Sequence, residues 1–167
     1  VFTINNRDFP DPKRMNKYLH DNGFHSVYMI DPGVKVDDNY FVYKTGKEQN
    51  AFVCDIYRNE FHGKVWPGAC AFPDFTRPET RTWWSGLYKD FMANGIDGIW
   101  NDMNEPSVFD GPGGTMPENN IHLGGGNLPI GSHLMYHNAY GRLMVEASYN
   151  GMMAANPSKR PFLLSRS

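Results

Sequence analysis

Asp102 and Glu105 are two carboxylates flanking an amide, Asn104, in the run Gly95-Ile96-Asp97-Gly98-Ile99-Trp100-Asn101-Asp102-Met103-Asn104-Glu105-Pro106-Ser107-Val108-Phe109. A carboxylate held beside an indole at the mouth of a pocket can act as a nucleophile, a general base or a metal ligand. The apolar run ends at Ile99 and Trp100, and Pro106 stops any further ladder, so the stretch reads as a buried strand passing into a loop. Its reactive groups then sit at the strand's C-terminal end, where loops gather and ligands bind in parallel α/β folds.

Other chemistries find less support. Asp102, Glu105 and one of the six His could supply hard metal ligands, but no His-x-x-x-His or dense acidic spacing accompanies them, so neither a metal nor an organic cofactor is expected. There is no Gly-x-Ser-x-Gly elbow, and neither Cys54 nor Cys70 stands at a helix start. The two cysteines read as buried thiols in preference to a disulfide. Gly124-Gly125-Gly126 lacks the preceding strand and the spacing of a phosphate loop. Carboxylate chemistry remains, and its most common use on such a scaffold is glycoside hydrolysis.

The elements that must position these groups follow a strand and helix rhythm. Val1 to Ile4 reads as a β-like run, broken by Phe9-Pro10-Asp11-Pro12, which opens a helix carrying Met15, Tyr18 and Leu19 and stopping at Asn22-Gly23. Phe24 to Ile30 is a second strand, ended by Asp31-Pro32-Gly33. Between Val34 and Gly63 the alternation of Tyr40 and Val42, then Phe52 and Cys54, predicts a small inserted hairpin in preference to a helix. Trp66-Pro67-Gly68 and Phe72-Pro73-Asp74-Phe75 predict an irregular, packed loop. Thr76-Arg77-Pro78-Glu79 has the form of a capping box, and Trp83, Trp84, Leu87, Tyr88, Phe91 and Met92 form the core stripe of the helix behind it, closed by Gly95. Residues 110–131 read as loop, Leu134 to Asn156 as a long helix and Pro161 to Ser165 as a strand with Arg166 at its end. Four strands thus end on Asn5 or Asn6, Asp31, Asp102 and Arg166. A doubly wound sheet or a partial (β/α)8 barrel of about four βα units would produce this rhythm, and the missing phosphate loop favours the α/β barrel.

With 167 residues the chain can hold one domain with a real core, and residues 1–167 read as part of a single catalytic domain with no second domain. Charged residues are 20% with a net charge of −2, scattered in a way that excludes a nucleic-acid track. No apolar run approaches a membrane span and no signal peptide is visible, so no membrane partner is expected and the compartment is not readable. Aromatics reach 14%, which suits either a filled core or a sugar-stacking pocket. The start without Met and the end just past an apolar run suggest an excised piece.

The run Trp100-Asn101-Asp102-Met103-Asn104-Glu105-Pro106-Ser107-Val108-Phe109 resembles the catalytic signature of glycoside hydrolase family 31, as found in α-glucosidases of the glucosidase II type. Ile30-Asp31-Pro32-Gly33, Val65-Trp66-Pro67-Gly68, Phe72-Pro73-Asp74-Phe75-Thr76 with Trp83-Trp84, and Leu164-Ser165-Arg166-Ser167 resemble further family segments in family order. The resemblance covers essentially the whole chain. It implies a retaining α-glycosidase on a (β/α)8 barrel, acting on α-glucoside oligosaccharides by double displacement without metal or cofactor. By residue match Asp102 is the nucleophile, Trp66 and Trp100 wall the glucose pocket, Ile30 and Met103 are its apolar contacts, and Arg166 binds sugar hydroxyls. Glu105 is expected to orient its neighbours, and Asp31 to fix its turn or the pocket floor.

The match also departs from the family. The family's acid/base aspartate lies in a Trp-x-Gly-Asp segment after the Arg-Ser motif, and an upstream Asp-Ile-Asp-Tyr-like segment contacts the sugar. Neither falls within these residues, and no aspartate present takes either role by match. The 167 residues alone are therefore expected to be inactive, and an open half barrel with unpaired edges is expected to self-associate. The alternative reading is a non-catalytic carbohydrate-binding or structural piece of the barrel. An α-xylosidase is disfavoured by the Trp-Asn-Asp-Met-Asn-Glu form.

Overall fold

The computed structural model describes all residues, 1–167. In chain order the elements are α1 (Pro12–Asp21), β1 (Val27–Ile30), β2 (Val34–Lys35), α2 (Phe41–Glu48), β3 (His62–Val65), β4 (Gly68–Ala71), α3 (Pro78–Gly86), α4 (Tyr88–Met92), β5 (Gly98–Asn101), β6 (Ile121–His122), β7 (Gly131–Ser132), α5 (His133–Ala155) and β8 (Phe162–Ser165). β1, β5 and β8 form one parallel sheet in the order β1-β5-β8. Helix α1 precedes these strands and the other helices separate them in sequence, and α3 and α4 both pack on α5. No helix is long and apolar enough to cross a membrane.

Local signals account for the best-predicted elements. The Asp11 carboxylate caps α1 by accepting from Arg14 N–H (2.9 Å), with Pro12 in the first turn. Gly23, at φ +80°, takes the left-handed turn that ends α1. Trp84 and Tyr88 are fully enclosed and Trp83 and Phe91 nearly so, as expected of a core stripe. Each such burial is worth roughly 1.5–3 kcal/mol. Cys70 is buried, Cys54 half-buried, and both are free thiols.

Several expectations are corrected. Residues 1–5 form no strand, leaving three parallel strands instead of four. Phe2 instead turns through φ 56° and sets its ring edge-on to Trp84, Tyr88 and Phe91 at 5.0, 5.0 and 5.6 Å. The helix layer buries that ring better than a sheet edge would. Residues 41–48 form helix α2 instead of the first arm of a hairpin, because Val42, Tyr43 and Gly46 bury one helical face. A Cβ at Gly46 would stand 2.5 Å from Phe52 and 2.9 Å from Trp83, so the helix can only seat there with glycine. The hairpin lies later: β3 and β4 pair antiparallel, with β2 on the far side of β4, and Trp66-Pro67 is its turn.

Thr76 does not cap α3. Its hydroxyl donates to Asp74 Oδ1 (2.5 Å) and accepts from Gly124 N–H (3.0 Å), and Arg77 occupies the cap position with no side-chain bond. The helix behind it is broken at Leu87 into α3 and α4. The 110–131 segment is not wholly loop, since β6 pairs antiparallel with β7 and a short 3-10 turn spans Pro112–Gly114. Both three-stranded sheets contribute to one hydrophobic cluster of 27 buried residues, which runs from Val34 and Phe72 to Ile99 and Met144.

Candidate active site

Strand alternation assigns the faces of the parallel sheet. Tyr28, Ile99 and Leu163 share one rung and face the helices, Tyr28 reaching Phe91 at 5.9 Å. Met29, Trp100 and Leu164 share the next rung and face the other way, where Val27, Met29, Phe162 and Leu164 are exposed and Trp100 half-exposed. Asp31, Asp102 and Arg166 each follow the last residue of a strand and continue this second phase. The ladder extends to them: Asp102 N–H donates to Ile30 O (3.3 Å) and Arg166 N–H to Asn101 O (3.0 Å). Three strands therefore deliver one carboxylate, one carboxylate and one guanidinium to the same open mouth.

Their contacts are unequal. Asp102 is 8% exposed, and its Oδ1 accepts from Met103 N–H (2.9 Å) and faces Arg166 Nη1 at 3.4 Å. Oδ2 has no hydrogen-bond partner and is left free. Met103 is held at φ 59°, a left-handed conformation costly for a long side chain, and its sulfur lies 3.6 Å from Arg166 Nη1. Glu105 Oε1 lies 2.9 Å from Arg166 Nε, while Ser107 O–H donates to Glu105 Oε2 (2.5 Å). Asn104 is fully buried and its amide donates to Ser165 Oγ (3.0 Å), tying the loop to β8. Burial, with the Asp102 charge adding, pushes the Asp31 carboxyl up to about 6. Asp31 Oδ1 is buried without a partner.

The remaining predicted site residues fall around this cluster. Trp100 lies on the open face one rung below Asp102. Ile30 is 1% exposed, enclosed in the core, and its carbonyl is what reaches Asp102. Trp66 stands at the tip of the β3–β4 hairpin, 74% exposed, edge-on to Phe109 at 4.8 Å. Phe109 N–H donates to Lys64 O (2.8 Å) and Lys64 N–H to Asp110 Oδ1 (2.8 Å), so the hairpin is fastened to the segment that follows Asp102. Trp66 shares none of the polar contacts. No group of three or more His, Cys, Asp and Glu side chains converges as a metal site would require.

A second polar cluster escapes sequence reading altogether. Asp74, His122 and His133 are all at 0% exposure. His122 joins Asp74 Oδ1 through Nδ1 (2.9 Å) and His133 Nδ1 through Nε2 (3.0 Å). Asp74 also accepts from Thr76 N–H (3.2 Å), Thr76 O–H (2.5 Å) and Leu123 N–H (2.6 Å). Burial alone would raise the Asp74 carboxyl, but His122, Thr76 and Leu123 outweigh it and hold the group below the ordinary carboxylate range. Burial, reinforced by His122 and His137, pushes the His133 imidazole down to about 3. The cluster joins β6, the N-terminus of α5 and the segment before α3.

A parallel sheet with helices on one side and polar groups at its C-terminal mouth places the chain among the TIM-type barrel proteins, with the barrel not closed by these residues. The family model of the glycosyl hydrolases family 31 TIM-barrel domain matches residues 1–167, and the chain belongs to that family. Alpha-glucosidase 2 of Bacillus thermoamyloliquefaciens is 43% identical over 166 residues, covering 99% of this chain and 21% of that protein. Neutral alpha-glucosidase C of Homo sapiens is 40% identical over 170 residues, covering 99% and 18%. A glucosidase II alpha subunit crystallised with Glc1Man2 superposes with a TM-score of 0.89 at 37% identity, covering 99% and 18%. The family 31 alpha-glucosidase of Bacteroides thetaiotaomicron gives 0.81 at 53% identity, covering 100% and 26%. The chain thus spans about a fifth of the length of the curated relatives named here.

Proposed function

We propose that the protein carrying this chain is a retaining α-glucosidase that releases terminal α-linked glucose from oligosaccharides, with Asp102 as its nucleophile. The observation that carries the reading is the split environment of Asp102: Oδ1 is held by Met103 N–H and Arg166, and Oδ2 is uncommitted and free to attack an anomeric carbon. The α-glucosidase names of its relatives support the substrate class.

On this reading Arg166, half exposed, offers its remaining N–H groups to sugar hydroxyls, and Trp100 and Met103 flank the bound ring. Trp66 approaches as an indole wall from the hairpin tip, Ile30 backs the floor with Asp31, and Glu105 supports Arg166. An indole face suits the apolar C–H side of a pyranose. A retaining reaction needs a second carboxyl about 5–5.5 Å from the nucleophile to protonate the leaving oxygen and then activate water. That aspartate is expected outside these 167 residues, which we read as part of one catalytic domain, a reading supported by the core that the two three-stranded sheets share.

The test is to treat the complete protein with a fluorinated glucosyl fluoride, which forms but slowly releases the glycosyl-enzyme. A mass increment on the peptide containing Asp102, and first-formed glucose in the α configuration by NMR, support the reading. Label on another carboxylate, or β-glucose, overturns it. The 167 residues purified alone hydrolyse no aryl α-glucoside and self-associate through the exposed face of Val27, Met29, Phe162 and Leu164. Turnover, or a monomer by light scattering, contradicts those two statements.

A further inference from the structure

We propose that Ser107 is a positioning residue, which holds Arg166 against Asp102 by way of Glu105. The inference rests on the reading of Asp102 as nucleophile. Arg166 is a long side chain, half exposed, whose guanidinium must keep one orientation to face both Asp102 Oδ1 at 3.4 Å and Met103 Sδ at 3.6 Å. Its shortest side-chain contact is Glu105 Oε1, at 2.9 Å from Nε. That oxygen is buried and makes no directed hydrogen bond, so the contact is electrostatic and does not by itself fix the carboxylate's rotation.

Rotation is fixed at the other oxygen. Ser107 O–H donates to Glu105 Oε2 at 2.5 Å, a charge-assisted bond. Ser107 N–H also donates to Met103 O (2.9 Å), closing the turn in which Met103 adopts its left-handed backbone and donates to Asp102 Oδ1. One residue therefore ties both approaches to Oδ1: the backbone through Met103, and the guanidinium through Glu105. Ser107 is itself held from outside, pairing with Thr115 as a β-bridge while Thr115 O–H donates to Pro106 O (2.6 Å). The arrangement keeps every contact on Oδ1 and none on Oδ2. Loss of the hydroxyl leaves the Met103 turn intact and frees the Glu105–Arg166 pair alone.

The experiment is a double-mutant cycle in the complete enzyme, read as kcat and KM on an aryl α-glucoside, with thermal melting as the control for folding. Ser107→Ala is expected to lower kcat/KM about 5-fold with little change in melting temperature, and Ser107→Thr, which keeps the hydroxyl, to restore it. Glu105→Gln, of equal shape but uncharged, is expected to cost about 50-fold or more, and adding Ser107→Ala to it to cost nothing further. Wild-type kinetics for Ser107→Ala, no recovery with Ser107→Thr, or additive losses in the double variant would each overturn the proposal. If Ser107→Ala fails to fold, the comparison of Ser107→Thr with Glu105→Gln decides it: loss in both overturns it. Asp102→Asn is run beside them. Turnover surviving in that variant sinks the nucleophile reading itself, whatever the Ser107 series gives.

Discussion

Asp74 and Asp31 are the same side chain in opposite settings. Asp74 is sealed at 0% exposure and accepts four hydrogen bonds, from Thr76 twice, His122 and Leu123. Asp31 stands at the open end of β1, keeps one buried oxygen without a partner, and faces Asp102. The first carboxyl is held below its ordinary range and the second is pushed up to about 6. A saturated carboxylate fixes chain segments to each other, whereas an unsaturated one keeps capacity for a ligand. The difference separates a cluster that ties segments of the fold together from the one proposed above to do the chemistry, although both are built around buried carboxylates.

The contrast can be broken by substitution. The largest expected effect is on activity: if Asp102 is the covalent nucleophile proposed above, Asp102→Asn in the complete protein lowers kcat on the order of 10⁴-fold or more, with little loss of stability. Asp74→Asn should do the reverse. Removing one partner from a sealed ionic network costs about 3 kcal/mol or more by urea unfolding, while molecules that remain folded retain most of their turnover. Equal effects of the two substitutions on both readouts would erase the distinction.

The buried imidazole gives a pH signature. His133 is held near 3 when folded against an ordinary 6.5, so between those values the unfolded chain binds the extra proton. Stability from this group is complete above about 6.5 and falls with acidification by about 1.4 kcal/mol per pH unit at most. His133→Phe should flatten that slope in urea unfolding measured from pH 7 to 5. The smallest effect has the opposite sign. Asp31 is raised when folded, so its ionised form opposes folding at pH 7 and the penalty fades as pH falls through about 6. Asp31→Asn is expected to stabilise the protein by about 1 kcal/mol at pH 7, to lose that gain below pH 4, and to lower kcat/KM. Destabilisation at pH 7 would place Asp31 with Asp74.

Sequence reading served where the signal is local. The opening of a helix at Pro10-Asp11-Pro12, the stop at Gly23, the β5 run into Asp102 and the end of β8 at Arg166 are written in adjacent residues, and the structure returns each of them. Helix α2 was not legible, because its buried face of Val42, Tyr43 and Gly46 is short and overlaps an apparent alternation of Tyr40 and Val42. Thr76 was misread because a hydroxyl three residues before Glu79 has the same spelling whether it caps a helix or serves Asp74. The Asp74–His122–His133 cluster could not be read at all. His122 lies 48 residues from Asp74 and 11 from His133, so only the tertiary fold joins them. Glu105 and Arg166 were each recognisable, but their pairing was not.

Asp31, Asp102 and Arg166 each stand one residue beyond a four-residue strand, and this has a consequence for how the sequence can change over generations. Loss or gain of a single residue inside β1, β5 or β8 would turn the functional side chain from the mouth into the helix layer. The connections carry no such counting rule, and the excursion through α2 and the β3–β4 hairpin shows how far one can be extended. An insertion or deletion in a loop therefore leaves the mouth intact, whereas one inside these three strands does not, and the strands act as the site's fixed ruler.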